Sequence, residues 1–286
     1  MIRIFTDTSA NLPAELVRQY GLTVIPFSYS INGVEAEQSA GREFDGAAFY
    51  SAMRAGAAVK TAMINIASFI GPMRQALEQG EDVLYIGMSG GISGAAHAAS
   101  IAVHELRDEF PDRQIAAIDT LAASLGEGLL VLEAARMQQA GAGFGEIAGR
   151  IAVRRETMCQ YFTVDDLEYL KRGGRVSKTT TVVGTLLKIK PLLTGDSQGR
   201  IVLCGKVRER RRSLMALADA YEKLAADKAG EVGIAHADDA AGAAFLLDEL
   251  KQRGLTGPCL TVCYEPVTGA HVGPGAMALF FQGVHK

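Results

Sequence analysis

A chain of 286 residues that is 48% hydrophobic has ample material for a large core, which excludes general disorder. Its 29 lysines and arginines stand against 32 acids, and the resulting formal charge of -3 excludes a global basic field that would draw the protein to nucleic acid or an anionic membrane. Four cysteines are too sparse for a disulfide framework and show no metal-type pairing, so they read as reduced. The opening stretch MIRIFTDTSANLP meets an acid at Asp7 before any long apolar core develops, which argues against a signal peptide or membrane span and for a cytoplasmic protein.

Met1 to Thr6 reads as a short strand ending at Asp7-Thr8-Ser9, whose oxygen-bearing side chains suit the cap of a helix from about Pro13 to Tyr20. Leu22 to Ile31 is apolar enough for a second strand. Helical spacing follows in Asp45 to Arg54 and Ile66 to Gln79, on either side of a linker from Gly56 to Asn65. Asp82 to Met88 and Gln114 to Asp119 read as buried strands, each leading through a Gly- or Ser-bearing loop into an Ala-rich helix, Ala95 to about Arg107 and Ala123 to Gln139. Such alternation predicts a doubly wound α/β unit with a parallel sheet covered on both faces. A further helix is expected over about Phe144 to Arg155. The pattern then changes, because Lys190 to Leu193 and Ile201 to Val207 flank Gly195 to Gly199 like antiparallel strands around a turn. Helices over Ser213 to Ala226 and Ala240 to Arg253, with strands over Glu231 to His236 and Cys259 to Glu265, complete a mixed-sheet α/β second domain. The expected division is 1–160 and 161–286, with ligand in the crevice outside the carboxyl ends of the parallel strands, where the domains meet.

Three constellations could carry chemistry. In GMSGGISGAAHAAS, Gly91, Ile92 and Gly94 surround Ser93 where a strand runs into a helix; free backbone N–H groups there would favour a carboxylate or phosphate, while Ser93 could equally be an N-cap. The string departs from the frame of a Gly-x-Ser-x-Gly nucleophile elbow. In AHVGPGA, Gly273 and Gly275 make a turn that sets His271 beside the apolar segment Met277 to Phe281; the imidazole could bind an anion, act as acid or base, or satisfy itself on backbone. In YLKRGGRVS, Lys171 and Arg172 lie favourably at a helix end stopped by Gly173-Gly174. The run Lys206, Arg208, Arg210, Arg211 and Arg212 instead precedes a helix, where its dipole repels cations, and serves either partner docking or simple solvation.

Taken in order, DTSANLP, KTAMIN, GMSGGISGAA, IDTLAASLGEG, DLEYLKRGGRVS, KIKPLL, KVRERRR and AHVGPGA cover nearly the whole chain, and the set resembles the DegV family of fatty-acid-binding proteins. The resemblance implies a monomeric two-domain protein enclosing one long-chain fatty acid between its domains, tail in an apolar tunnel and carboxylate at the interface, with no other cofactor and no metal. It implies a non-catalytic subunit that presents the acid to a separate ATP-dependent fatty acid kinase, which makes an acyl phosphate for phospholipid synthesis. Carried over by position, Thr61, Ser93 and His271 match the family's carboxylate-binding residues, and Arg172 and Arg208 fall in the basic motifs of the head-group region and the kinase-docking surface. Ile25, Phe27, Met63, Phe280 and Phe281 are candidate tunnel walls or ordinary core. Three departures are visible: Ala62 stands where a Ser usually follows Thr61, Gly90 stands where a second Ser is common, and Ala95-Ala96-His97 replaces a more usual Thr-Tyr or Thr-aromatic pair.

Two hydroxyls and an imidazole hold a carboxylate without supplying an attacking nucleophile. The competing reading is a stand-alone phosphotransferase or small-ester hydrolase with Ser93 as nucleophile and His271 as base or phospho-acceptor, but no P-loop, nucleophile elbow or metal-ligand cluster supports it. A DNA-binding regulator is the weakest reading, given the charge.

Overall fold

The computed structural model describes residues 1–37, 44–176 and 189–284; Ser177 and Lys188, at the edges of two motifs above, lie outside the described residues. Four strands, Thr23–Ile25, Ile2–Asp7, Asp82–Gly87 and Ile115–Asp119, form a wholly parallel sheet in that spatial order. Alternation along these strands divides the core. Phe5, Val83 and Tyr85 pack on Phe69 and Met73 of helix Ile66–Glu78 and on Ala99 and Leu106 of helix Ala95–Glu109. Ile4, Leu84 and Ile86 turn the other way, toward Leu130 of helix Leu125–Gln139 and Ile147 of helix Phe144–Arg154. Both faces are therefore covered, as a doubly wound unit requires.

The strand expected over Leu22 to Ile31 is two strands in two sheets. Pro26 separates them, since it has no N–H for a ladder and fixes its own φ. Beyond it, Ser28–Ile31 lies between Val34–Glu37 and Val59–Ala62 in a small antiparallel sheet. The last of these strands occupies what reads from sequence as a linker, and it carries Thr61 opposite Tyr29.

The remaining strands form a six-stranded sheet in the order Ile201–Arg208, Ile189–Gly195, Met158–Thr163, Met277–Gln282, Val232–His236, Cys259–Cys263. Only its last pair is parallel. Helices Arg210–Leu224 and Ala240–Gln252 cover one face through Leu217, Tyr221 and Leu246. The opposite face, with Phe162, Leu193, Ala278 and Phe280, joins the core cluster of the parallel sheet's helices. Contact is close where Leu125 meets Gly233: a Cβ on that glycine would stand 2.7 Å from the leucine Cβ. The helix expected from Ser213 begins at Arg210, which puts Arg210, Arg211 and Arg212 in its first turn. Cys259 and Cys263 are both free.

Candidate functional site

Between the carboxyl ends of the parallel strands and the inner face of the six-stranded sheet lies a narrow cavity of about 70 Å³. Phe27, Met88 and Ala123, each just beyond a parallel strand, form one wall. Phe162, Ile201 and Phe280 form the other. Phe280 faces the cavity, whereas Phe281 points through the sheet to stack near Tyr161 and Tyr221, because successive strand residues face opposite ways. Ile25 is likewise core, packed within the cluster of Phe5 and Phe69. Of the candidate wall residues, Phe27, Met63 and Phe280 line the cavity.

Thr61, Ser93 and His271 all line it too. Thr61 is brought there by strand alternation, since Val59 and Thr61 turn inward while Lys60 and Ala62 are exposed. His271 occupies the last turn of helix Pro266–Val272, which Glu265 caps by accepting from the Val267 and Thr268 amides. Gly273 ends that helix at φ 76, and Gly275 follows at φ 78; a Cβ on either would collide with Tyr169 or Asp165, so the turn requires glycine sterically as well as conformationally. Thr61 Oγ1 and His271 Nε2 stand 2.9 Å apart. Burial, reinforced by the Arg175 cation, pulls the His271 pKa down to about 4 and keeps the imidazole neutral at physiological pH.

The glycine loop differs from its expected form. Its amides are not free donors: Gly90 N–H goes to Asp119 Oδ2, Gly91 N–H to Ser89 Oγ, and the Ile92 and Ser93 N–H groups to the Ser89 carbonyl. Gly91 serves instead as a contact point, for a Cβ there would meet the backbone of Gln198, Gly199 and Arg200 at the tip of the hairpin. Gly94 leaves room for Met63. Ser93 Oγ accepts the Ala95 N–H at 3.2 Å, a local turn bond just ahead of the helix, whose N-cap is Gly94, and it retains its own proton for a ligand.

Arg172 does not line the cavity. It is exposed, and its guanidinium lies 4.7 Å from the centre of the Tyr169 ring. The cation at the cavity is Arg175, half-buried and held by hydrogen bonds to the carbonyls of Ile92 and Gly173. Burial lowers its pKa. Gly174, at φ 71, turns the chain past the helix end to Arg175, which helix-end reasoning alone does not reveal. Arg208 is exposed at the end of its strand, away from the cavity lining. Within the same basic run, Arg210 pairs with Asp239 at 2.6 Å and Arg211 lies over Phe245.

Gln160, Ser124, Tyr264 and Thr268 also line the cavity and escape the sequence reading. A usable signal existed for Thr268, one helical turn before His271. None existed for Gln160, whose strand, Met158–Thr163, has no clean alternation. Among the described residues no group of His, Cys, Asp or Glu could hold a metal ion, and no helix is long and apolar enough to cross a membrane.

A family model described as "Uncharacterised protein, DegV family" matches residues 1–283. A DegV domain-containing protein of Clostridium perfringens is 34% identical over 284 residues, covering 99% of this chain and 98% of that one. Among solved structures, a DegV family protein of Thermus thermophilus, described by its fatty acid binding, superposes with a TM-score of 0.86 at 29% identity, covering 99% of both chains. A fatty acid binding DegV family protein from Streptococcus agalactiae gives 0.86 at 29% identity over 98% of each.

Proposed function

The chain belongs to the DegV family, and we propose that it binds one long-chain fatty acid, tail in the apolar cavity and carboxylate against Thr61, Ser93 and His271. The observation that carries this reading is the Thr61–His271 hydrogen bond at an otherwise largely apolar cavity that Ser93 and Arg175 also line. With the His271 proton on Nε2 and donated to Thr61 Oγ1, the Thr61 and Ser93 hydroxyls each keep a proton for a carboxylate, and Arg175 supplies positive charge. The tail supplies most of the affinity, at about 0.8 kcal/mol per buried CH₂ before ordering costs.

The hydrolase reading has less support. His271 is hydrogen-bonded to Thr61 rather than to Ser93, so Ser93 and His271 are not arranged as the nucleophile–base pair of an acyl-transfer site. The bound acid is on this reading presented unaltered to a separate ATP-dependent kinase, with exposed Arg208 and Arg172 on the docking face. Replacing Arg208 by Ala then abolishes acyl-phosphate formation in the presence of the kinase while fatty-acid binding persists.

Denaturing extraction of the purified protein is expected to release a long-chain fatty acid. His271→Ala and Thr61→Val each weaken binding to the stripped protein by roughly 10-fold or more, the size of a lost hydrogen bond to a charged group. Absence of extractable lipid together with no binding by stripped protein refutes the proposal. Binding also carries a proton signature. A carboxylate beside His271 favours the imidazolium, opposing the burial that holds its pKa near 4. Titration calorimetry at about pH 6, in buffers of different ionisation enthalpy, is expected to show proton uptake that disappears in His271→Ala.

A further inference from the structure

Two hydroxyls in the cavity wall lack any partner. Ser124 Oγ and Thr268 Oγ1 are buried with no hydrogen bond among the described residues, and both residues line the cavity. A serine at the start of a helix ordinarily accepts an amide of the first turn. Ser124 immediately precedes helix Leu125–Gln139 yet makes no such bond, and the residue is only 1% exposed. It also sits at φ 52, ψ -138, a conformation unfavourable for a non-glycine residue. Thr268 has its amide taken by Glu265 while its hydroxyl is left over. Each unpaired buried hydroxyl is a desolvation cost left uncompensated in an otherwise folded wall.

We propose that the cavity is built for an acyl chain carrying a hydroxyl, with Ser124 and Thr268 as the partners of that substituent. This deepens the fatty-acid reading and rests on it. A plain alkyl chain leaves both protein hydroxyls unpaired. A chain hydroxyl has one proton and two lone pairs, so it can pair with either as donor or as acceptor. Thr268 and His271 are three residues apart on one helix, which places their Cβ atoms roughly 5 to 6 Å from each other. The substituent therefore belongs near the carboxylate end of the chain, within its first few carbons. Phe27, Phe162, Val267 and Phe280 are among the apolar residues that line the same cavity.

The test is calorimetric titration of delipidated protein with palmitic acid and with its 2-, 3- and 5-hydroxy derivatives. At least one hydroxy acid is expected to bind fivefold or more tightly than palmitic acid, about one net hydrogen bond. That ratio falls toward one in Ser124→Ala and in Thr268→Val. If palmitic acid binds and no hydroxy acid is preferred by the unmodified protein, the hydroxyls are satisfied in some other way and this inference is overturned while the fatty-acid reading stands. If no acid binds at all, both fall. The unmodified protein's own ratio decides the matter even should a variant fail to fold.

Discussion

Replacing Asp7 by Ala is expected to lower the unfolding free energy by about 4 kcal/mol, whereas Glu127→Gln changes it by less than about 1. The difference follows from proton counting in a fully buried pair. Asp7 accepts from the Ser9 amide at 2.8 Å, the Tyr85 hydroxyl at 2.6 Å and the Met88 amide at 3.2 Å. Ser9 Oγ lies within bonding reach of both Asp7 Oδ1 and Glu127 Oε2, yet a hydroxyl has only one proton. If it donates to Asp7, the contact with Glu127 requires a proton on that carboxyl. Glu127 has fewer donors aimed at it, chiefly Thr6 Oγ1 at 2.9 Å. Burial and the Asp7 charge push its pKa well up, and Glu265 pushes the same way. Burial raises Asp7 as well, but hydrogen bonds from Ser9, Tyr85 and Met88 pull it back. The proton accordingly sits on Glu127. A glutamine amide reproduces that form, with its NH₂ donating to Ser9 and its oxygen accepting from Thr6, while Asp7→Ala strands three or four donors.

The pH dependence has a fixed sign. In the unfolded chain Glu127 loses its proton near the ordinary value of 4.5; in the folded protein it keeps it to higher pH. The native state then binds the extra proton, so stability falls as pH rises from there through the raised pKa. His271 acts oppositely: unfolded it protonates near 6.5, folded only near 4, so stability falls as pH drops through that interval. Denaturant unfolding from pH 4 to 9 is expected to show a less steep alkaline decline in Glu127→Gln than in the parent. An unchanged decline, or a loss matching that of Asp7→Ala, would place the proton elsewhere.

Gly173→Ala is expected to cut fatty-acid affinity roughly 10- to 100-fold, the worth of a charge-assisted hydrogen bond, at little cost in stability. Gly173 has an ordinary helical φ of -70, so alanine meets no backbone penalty there. Its Cβ, however, would stand 2.3 Å from His271 Nδ1, and the ring must move off Thr61 to make room. The neighbour supplies the converse. Gly174 has φ 71 and open space around its would-be Cβ, so Gly174→Ala costs about 1 kcal/mol of stability and leaves the imidazole in place. Thermal melts and fatty-acid titrations of the two variants separate the effects. Equal affinity of Gly173→Ala and the parent would show that the approach of Gly173 to the ring has no bearing on binding.

The parallel sheet and its covering helices were legible because their signal is local. Apolar runs such as Val83 to Ile86, loops such as Gly90 to Gly94, and helix formers after them repeat within thirty or so residues. The strand carrying Thr61 was not legible. Val59–Ala62 is four residues long, and its partner strand comes from the far side of the Pro26 break and a hairpin. No local periodicity announces so short a strand. Strand Met158–Thr163, buried at both ends but not alternating, was missed for the same reason.

The chain's own order of residues determined its architecture, its membership of a family through motifs spread from end to end, and three residues that line one cavity. Tertiary structure alone decided the rest. It chose Arg175 over Arg172 as the cation beside His271, committed the glycine-loop amides to Ser89 and Asp119, turned Phe281 away from the cavity, and left Ser124 and Thr268 without a partner among the described residues. The physical reason is range. Propensity and periodicity act over a few residues, but what a side chain at a loop or helix end touches depends on segments distant in sequence, and a one-residue step along a strand reverses the face it serves.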